Sequence, residues 1–95
     1  MSETIDKAVT ALNQRLEGGF DGTAVFDIED EGQITVDQQG ARAGGSDADV
    51  TLSADAATFE EILSGELDAT SAFMQGRLKV DGDMGAAMRL GSALS

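Results

Sequence analysis

Apolar side chains near the start of the chain recur at the spacing of one helix face. They are Ile5, Ala8, Val9, Leu12 and Leu16. This pattern predicts an amphipathic helix from Thr4 to about Glu17, with Gly18 and Gly19 ending it. Because such a stripe is buried against another element, the helix should cover one face of a sheet.

Beyond these glycines the period of the pattern changes to two. The apolar positions of this alternation are Ala24, Phe26, Ile28, Ile34 and Val36. They predict a hairpin with an acidic turn at Glu31-Gly32. A short third strand is expected from Gly40 through Ala43, and the alternation from Val50 to Ala54 marks a clearer fourth. Four strands with one polar side predict an antiparallel sheet with one face in water.

Aspartates mark the starts of two helices after the fourth strand. Asp55 can accept hydrogen bonds from free backbone N–H groups, and Gly65 ends the helix that follows. Its apolar side carries Phe59, Ile62 and Leu63. Asp68 repeats this arrangement for a shorter helix that ends at Gly76. The side chains expected to be buried there are Ala72 and Phe73.

A fifth strand and a last helix complete the pattern. Leu78 and Val80 point to one side of the strand, and Asp83 can cap the helix. One face of this helix carries Met84, Ala87, Met88 and Gly91. The chain has no proline and no block of like charge to mark a boundary. Residues 1–95 are therefore expected to form one α+β domain.

Composition removes most catalytic chemistry. The chain has no Cys and no His, so it lacks a thiol nucleophile, a thiolate metal site and an imidazole for proton transfer. Its serines therefore have no histidine to activate them. We expect no catalytic residue, no bound metal and no cofactor, and we predict that the protein is not an enzyme.

The acidic run from Asp27 to Gly32 imitates the start of an EF-hand calcium loop. However, Gln38 stands at the twelfth place, where a bidentate Glu is needed. The flanking residues also alternate as strands do, whereas the motif requires helices. The pattern favours a solvated hairpin turn over a calcium site.

The charge of the chain argues against anionic partners. Its 18 acidic and 6 basic residues give a net charge of -12, which repels nucleic acid at long range. The acidity is equally consistent with a saline habitat. The first residues form neither a basic start nor an apolar run, and no apolar stretch is long enough to span a bilayer. We expect a cytoplasmic protein that is not an integral membrane protein.

Half of the basic residues lie close together in the sequence, at Arg77, Lys79 and Arg89. They are candidates for contacts with an anionic lipid head group, since guanidinium and ammonium groups pair well with phosphate. The alternative is that they pair with the abundant carboxylates of the protein. The apolar residues of the sheet and helices also allow two interpretations: they could line a cavity, or they could pack into a solid core, as such faces usually do.

Two segments near the end carry a family resemblance. They read Ala72-Phe73-Met74-Gln75-Gly76-Arg77-Leu78-Lys79-Val80 and Gly82-Asp83-Met84-Gly85. Together they resemble the signature of the type-2 sterol carrier protein (SCP-2) domain. The resemblance implies a five-stranded, mostly antiparallel sheet with one face covered by four to five helices.

The resemblance also implies a function. Domains of this family hold sterols, fatty acids, acyl-coenzyme A or phospholipid in an apolar tunnel between sheet and helices. The lining residues implied here are Phe26, Phe59, Leu63, Phe73, Met74, Leu78, Met84, Met88 and Leu90. We expect a non-catalytic lipid-binding or lipid-transfer protein for a fatty acid, a sterol or a neutral lipid. The negative charge makes acyl-coenzyme A a poorer ligand.

An interaction module is the alternative function. Many SCP-2 relatives continue beyond the helix that begins near Met84 and use the extension as a lid, so we do not expect a closed tunnel here. Without a lid, Met88, Leu90 and Leu94 would be exposed as a self-complementary patch. In that case the same apolar face would form a homodimer without a bound ligand.

Overall fold

The computed structural model describes residues 3–16 and 19–94. In chain order, the elements are α1 (Glu3–Arg15), β1 (Ala24–Ile28), β2 (Gly32–Asp37), β3 (Gly40–Ala43), β4 (Val50–Ala54), α2 (Ala56–Ser64), α3 (Ala69–Met74), β5 (Lys79–Gly82) and α4 (Met84–Leu94). The first helix was expected to continue to Glu17, and that residue and Gly18 lie outside the described part of the chain. Gly19 has a φ of 85° and donates its N–H to the Leu16 carbonyl.

The five strands form one mixed sheet in the order β3-β2-β1-β4-β5. Three pairings are antiparallel, which confirms the mostly antiparallel sheet. The antiparallel arrangement expected for the first four strands is wrong at one place, because β1 and β4 are parallel, with Phe26 opposite Leu52. The chain reaches β4 through the segment 44–49, which crosses to the far side of β1, whereas a hairpin turn would have placed β4 beside β3.

The helices cover one face of the sheet, as the family resemblance implies. The buried strand residues on this face are Ala24, Phe26, Ile28, Ile34, Val36, Val50 and Leu52. The opposite face is not wholly in water, because Val25 and Thr35 are buried there. The Thr35 hydroxyl donates to the Gly44 carbonyl at 2.7 Å, which ties the crossing segment to the sheet.

The predicted helix starts are confirmed. The carboxylates of Asp55, Asp68 and Asp83 accept hydrogen bonds of 2.7 to 3.0 Å from backbone N–H groups two or three residues ahead. Hydrogen bonds from the hydroxyl and the N–H of Thr58 hold the pKa of Asp55 below its usual value. Gly65 ends α2 in the left-handed conformation, with a φ of 87°.

The acidic segment 27–32 forms a hairpin turn, as predicted. The Glu31 N–H donates to the Ile28 carbonyl at 3.0 Å, and Asp30 adopts a φ of 66°. Among residues 3–16 and 19–94, no group of three or more acidic side chains could hold a metal ion. No helix in these ranges is long and apolar enough to cross a membrane.

Candidate functional site

An apolar pocket of about 220 Å³ lies between the sheet and the helices α2, α3 and α4. Its walls are formed by Phe26, Leu52, Ala54, Phe59, Ile62, Ala69, Thr70, Phe73, Met74, Leu78, Val80, Met84, Ala87, Met88, Leu90, Gly91 and Leu94. Among the lining residues that the structure describes, Thr70 alone has a polar side chain, and none is charged. Such a surface can bind hydrocarbon but offers little to a polar molecule.

The floor of the pocket is a row of side chains across three strands. Phe26 on β1 lies opposite Leu52 on β4, and Leu52 lies opposite Val80 on β5. Side chains paired in this way point to the same face of a sheet, so all three face the helices. Phe59 of α2 packs on the row, with its ring centroid 4.7 Å from that of Phe26 and the two rings tilted by 38°.

Helix α4 serves both the core and the pocket. Ala86, Leu90 and Leu94 are buried against the sheet and the other helices. Met84 and Met88 reach towards solvent at the edge of the pocket, with 45% and 70% of their surface exposed. The predicted apolar face of this helix thus borders the pocket.

The opening of the pocket is surrounded by exposed apolar side chains, which we call the lip. Its members are Phe73, Met74, Met84 and Met88. They are all of the large hydrophobic residues that are exposed in the described part of the chain. Because soluble proteins seldom expose a cluster of such residues, the lip indicates a site that contacts an apolar ligand or an apolar surface.

Two expectations about exposure are wrong. Phe73 was expected to be buried with Ala72, but 40% of its surface is exposed, because Ala72 is the buried residue of the six-residue helix α3. The patch expected for the dimer also differs. Leu90 and Leu94 are almost fully buried, so of that predicted set only Met88 is exposed.

Eight of the nine predicted lining residues border the pocket. Leu63 does not, because it lies on the side of α2 that faces α1 and borders a second cavity there. The prediction left out part of the lining. Leu52 and Val80 follow from their strand alternation with Phe26, whereas Ala69 and Thr70 carry no apolar pattern that would have revealed them.

The three candidate head-group contacts lie outside the apolar lining. Arg77 forms a salt bridge with Glu61, as the alternative assignment expected. Lys79 is exposed on the polar face of the sheet and borders a polar depression together with Arg77. The guanidinium carbon of Arg89 lies 6.0 Å from the centre of the Phe20 ring.

A different basic residue lies next to the pocket. Arg15 at the end of α1 donates hydrogen bonds to the carbonyls of Leu94 at 2.6 Å and Leu63 at 2.7 Å. It borders an adjoining cavity of about 250 Å³, which also meets Asp68. The residues that this cavity shares with the apolar pocket are Ile62, Ala69, Gly91 and Leu94. Within residues 3–16 and 19–94, no carboxylate forms a salt bridge with Arg15.

The comparison with protein families assigns this arrangement. Residues 3–95 match the SCP-2 sterol transfer family. The chain belongs to this family. The element order and the mixed five-stranded sheet are those of an SCP-2 domain, so the resemblance inferred from the segments at 72–80 and 82–85 is confirmed.

SCP-2 relatives with curated descriptions are longer proteins. Hydroxysteroid dehydrogenase-like protein 2 of Xenopus tropicalis is 35% identical over 98 residues, which cover 95% of this chain and 24% of that protein. Peroxisomal multifunctional enzyme A of Dictyostelium discoideum is 40% identical over 52 residues, covering 55% of this chain and 12% of that protein. The chain thus spans about a quarter or less of the length of these relatives.

Solved structures share the SCP-2 fold. Sterol carrier protein 2 of Aedes aegypti, determined in complex with palmitate, is 20% identical with a TM-score of 0.79, covering 100% of this chain and 97% of that one. The apo form of sterol carrier protein 2 from Yarrowia lipolytica is 23% identical with a TM-score of 0.68, covering 97% and 71%. A sec-alkylsulfatase from Pseudomonas contains a similar domain, with a TM-score of 0.64 at 24% identity over 96% of this chain and 16% of the enzyme.

Proposed function

We propose that this SCP-2 domain binds a single-chain lipid of the fatty acid class, with the hydrocarbon chain in the apolar pocket. The observation that carries the proposal is a lining without charge whose opening is surrounded by the lip. Each methylene removed from water contributes ~0.8 kcal/mol, so a medium-length chain supplies enough free energy for binding without any catalytic group.

The size and charge of the site favour a simple fatty ligand over the other family ligands. The volume of about 220 Å³ lies below that of typical pockets for drug-sized molecules, which suits a narrow alkyl chain better than the fused rings of a sterol. The net charge of -12 opposes the highly anionic head group of acyl-coenzyme A. The palmitate complex of the Aedes aegypti protein supports the same ligand class.

The geometry also supplies a place for the carboxylate. Arg15 borders the cavity that adjoins the apolar pocket and shares part of its lining, including Ile62 and Gly91. Within residues 3–16 and 19–94, its hydrogen bonds go to the neutral carbonyl groups of Leu63 and Leu94. A guanidinium group has five N–H donors, and we propose that one or more of them binds the carboxylate. Arg15 therefore replaces Arg77, Lys79 and Arg89 as the proposed head-group contact.

The proposed role is to hold and transfer lipid, without chemical conversion. Among the described lining residues, Thr70 has the one hydroxyl, and none of the others is an acid or base that could take up its proton. The curated relatives include a multifunctional enzyme in which the matching region is a small part of a longer chain. A cytoplasmic location stays a prediction.

Met88→Asp tests the proposal. The substitution places a carboxylate at the lip, where it opposes entry of hydrocarbon and repels a fatty carboxylate. We expect the concentration of dodecanoate needed to displace a fluorescent fatty acid to rise about tenfold. The matched control is Ala93→Asp, since Ala93 is exposed on the same helix and does not border the pocket. If the folded Met88→Asp protein shows unchanged displacement, the lip is not part of the binding site.

A homodimer is the second candidate, because the lip is also a suitable surface for a second copy of the chain. The two functions give different results with the same variant. If the lip forms a dimer interface, Met88→Asp yields a monomer in analytical ultracentrifugation and Ala93→Asp does not. If the lip surrounds a lipid site, the wild-type protein is already a monomer at the same concentration.

A further inference from the structure

A second cavity, of about 300 Å³, lies between α1 and α2. Its walls are formed by Thr4, Lys7, Ala8, Ala11, Ile28, Ala56, Phe59, Glu60, Leu63 and Ser64. The alanines of both helices leave this space because their side chains are too short to fill it. Lys7, Glu60 and Ser64 are exposed, and the remaining lining is apolar apart from the half-buried Thr4.

Phe59 separates this cavity from the apolar pocket. It is the one residue that borders both spaces among those the structure describes. The side chain is 4% exposed, and its ring is held against Phe26 at a centroid distance of 4.7 Å. Phe59 thus lies between two neighbouring spaces whose other lining residues differ.

We propose that Phe59 is the end wall that determines how long a hydrocarbon chain the pocket accepts, with the α1–α2 cavity as the space that a longer chain enters when the ring is removed. This inference rests on the proposed function. Under this proposal Leu63, which borders the α1–α2 cavity, contacts a chain only in a variant that lets the chain extend past residue 59.

The test is a chain-length profile measured with saturated fatty acids from octanoate to stearate. For the wild-type protein we expect affinity to rise about fourfold per methylene until the chain reaches Phe59, and then to level off. In Phe59→Ala the rise continues for several more methylenes. The ratio of stearate to decanoate affinity should therefore increase at least about tenfold over the wild-type ratio.

Two further variants keep the proposal testable if Phe59→Ala does not fold. Phe59→Leu keeps a buried apolar side chain and should shift the profile in the same direction by a smaller amount. Ala11→Leu refills the second cavity from α1 with a good helix former. Combined with Phe59→Ala it should restore the wild-type limit, whereas alone it should leave the profile unchanged.

The possible failures are distinguishable. If the wild-type protein binds no fatty acid of any length, the proposed function is wrong and the inference falls with it. If the wild-type protein binds, and Phe59→Leu and Phe59→Ala lower affinity equally at every length, the function stands and Phe59 is not the end wall. If Ala11→Leu does not reverse the shift, the extra methylenes of the longer chains do not bind in the α1–α2 cavity.

Discussion

Arg15 connects the ends of two helices that form the pocket. Its guanidinium group donates to the last turn of α2 at Leu63 and to the last residue of α4 at Leu94. The same group borders the cavity that adjoins the apolar pocket. Arg15 thus has a structural role and, in the proposed function, a ligand-binding role. Ligands with and without a carboxylate can separate the two.

Arg15→Gln should lower the affinity for dodecanoate about tenfold or more, because a hydrogen-bonded contact between guanidinium and carboxylate is lost. Dodecanol has the same chain without the charge, so its affinity should change less than about twofold. Isothermal titration calorimetry of both ligands measures the difference. Arg42→Gln is the matched control. Arg42 lies on the edge strand β3, away from the pocket, and pairs with Asp37. An equal loss for the acid and the alcohol would leave Arg15 only its structural role.

Arg15 shows what sequence reasoning missed at this scale. The residues chosen as head-group contacts were basic residues that are close in sequence to the apolar signature, and none of them borders the apolar pocket. Arg15 lies 79 positions before the carbonyl that it contacts at Leu94. A contact across such a separation exists only after the sheet has brought both ends of the chain together, so no local spacing indicates it.

At the scale of elements, α4 illustrates how one helix forms both the core and the site. Leu90 is fully buried, while Met88, two positions earlier, is 70% exposed at the lip. The sequence spacing identified the apolar character of this helix correctly. It could not show which apolar residues face the core and which surround an opening, because methionine is suited to both environments.

Substitutions on the two faces of α4 should differ sharply in their effect on the free energy of unfolding. Leu90→Ala leaves a hole in the core and should lower the free energy of unfolding by about 2–5 kcal/mol. Met88→Ala removes exposed surface only and should change it by less than about 0.5 kcal/mol. Urea unfolding followed by circular dichroism measures both values. Similar losses for the two variants would mean that the lip is buried in solution.

The strands were predicted more accurately than their pairing. The predicted bounds of β3 agree with the structure, and the alternating apolar residues Val50, Leu52 and Ala54 lie on β4, since alternation and flanking glycines are local signals. The parallel pairing of β1 with β4 was missed, because it depends on the path of segment 44–49 and on the hydrogen bond from Thr35 to Gly44.

For the whole molecule, the segments at 72–80 and 82–85 were enough to indicate the SCP-2 family and thereby the fold. They did not show whether the apolar faces enclose a space. That depends on small residues at the helix contacts, such as Ala69, Ala87 and Gly91, which keep side chains out of the pocket. The size of an interior space is a property of the assembled layers, and a periodic pattern records only which face is apolar.

Native mass spectrometry tests the central claim most directly. The protein is first stripped of bound lipid by organic extraction and refolded, and then mixed with a small excess of dodecanoate. We predict a monomer that carries one dodecanoate, with the adduct weakened in Met88→Asp and retained in Ala93→Asp. A protein that remains free of ligand throughout the titration, or that appears only as a ligand-free dimer, would contradict a lipid-binding pocket in this SCP-2 domain.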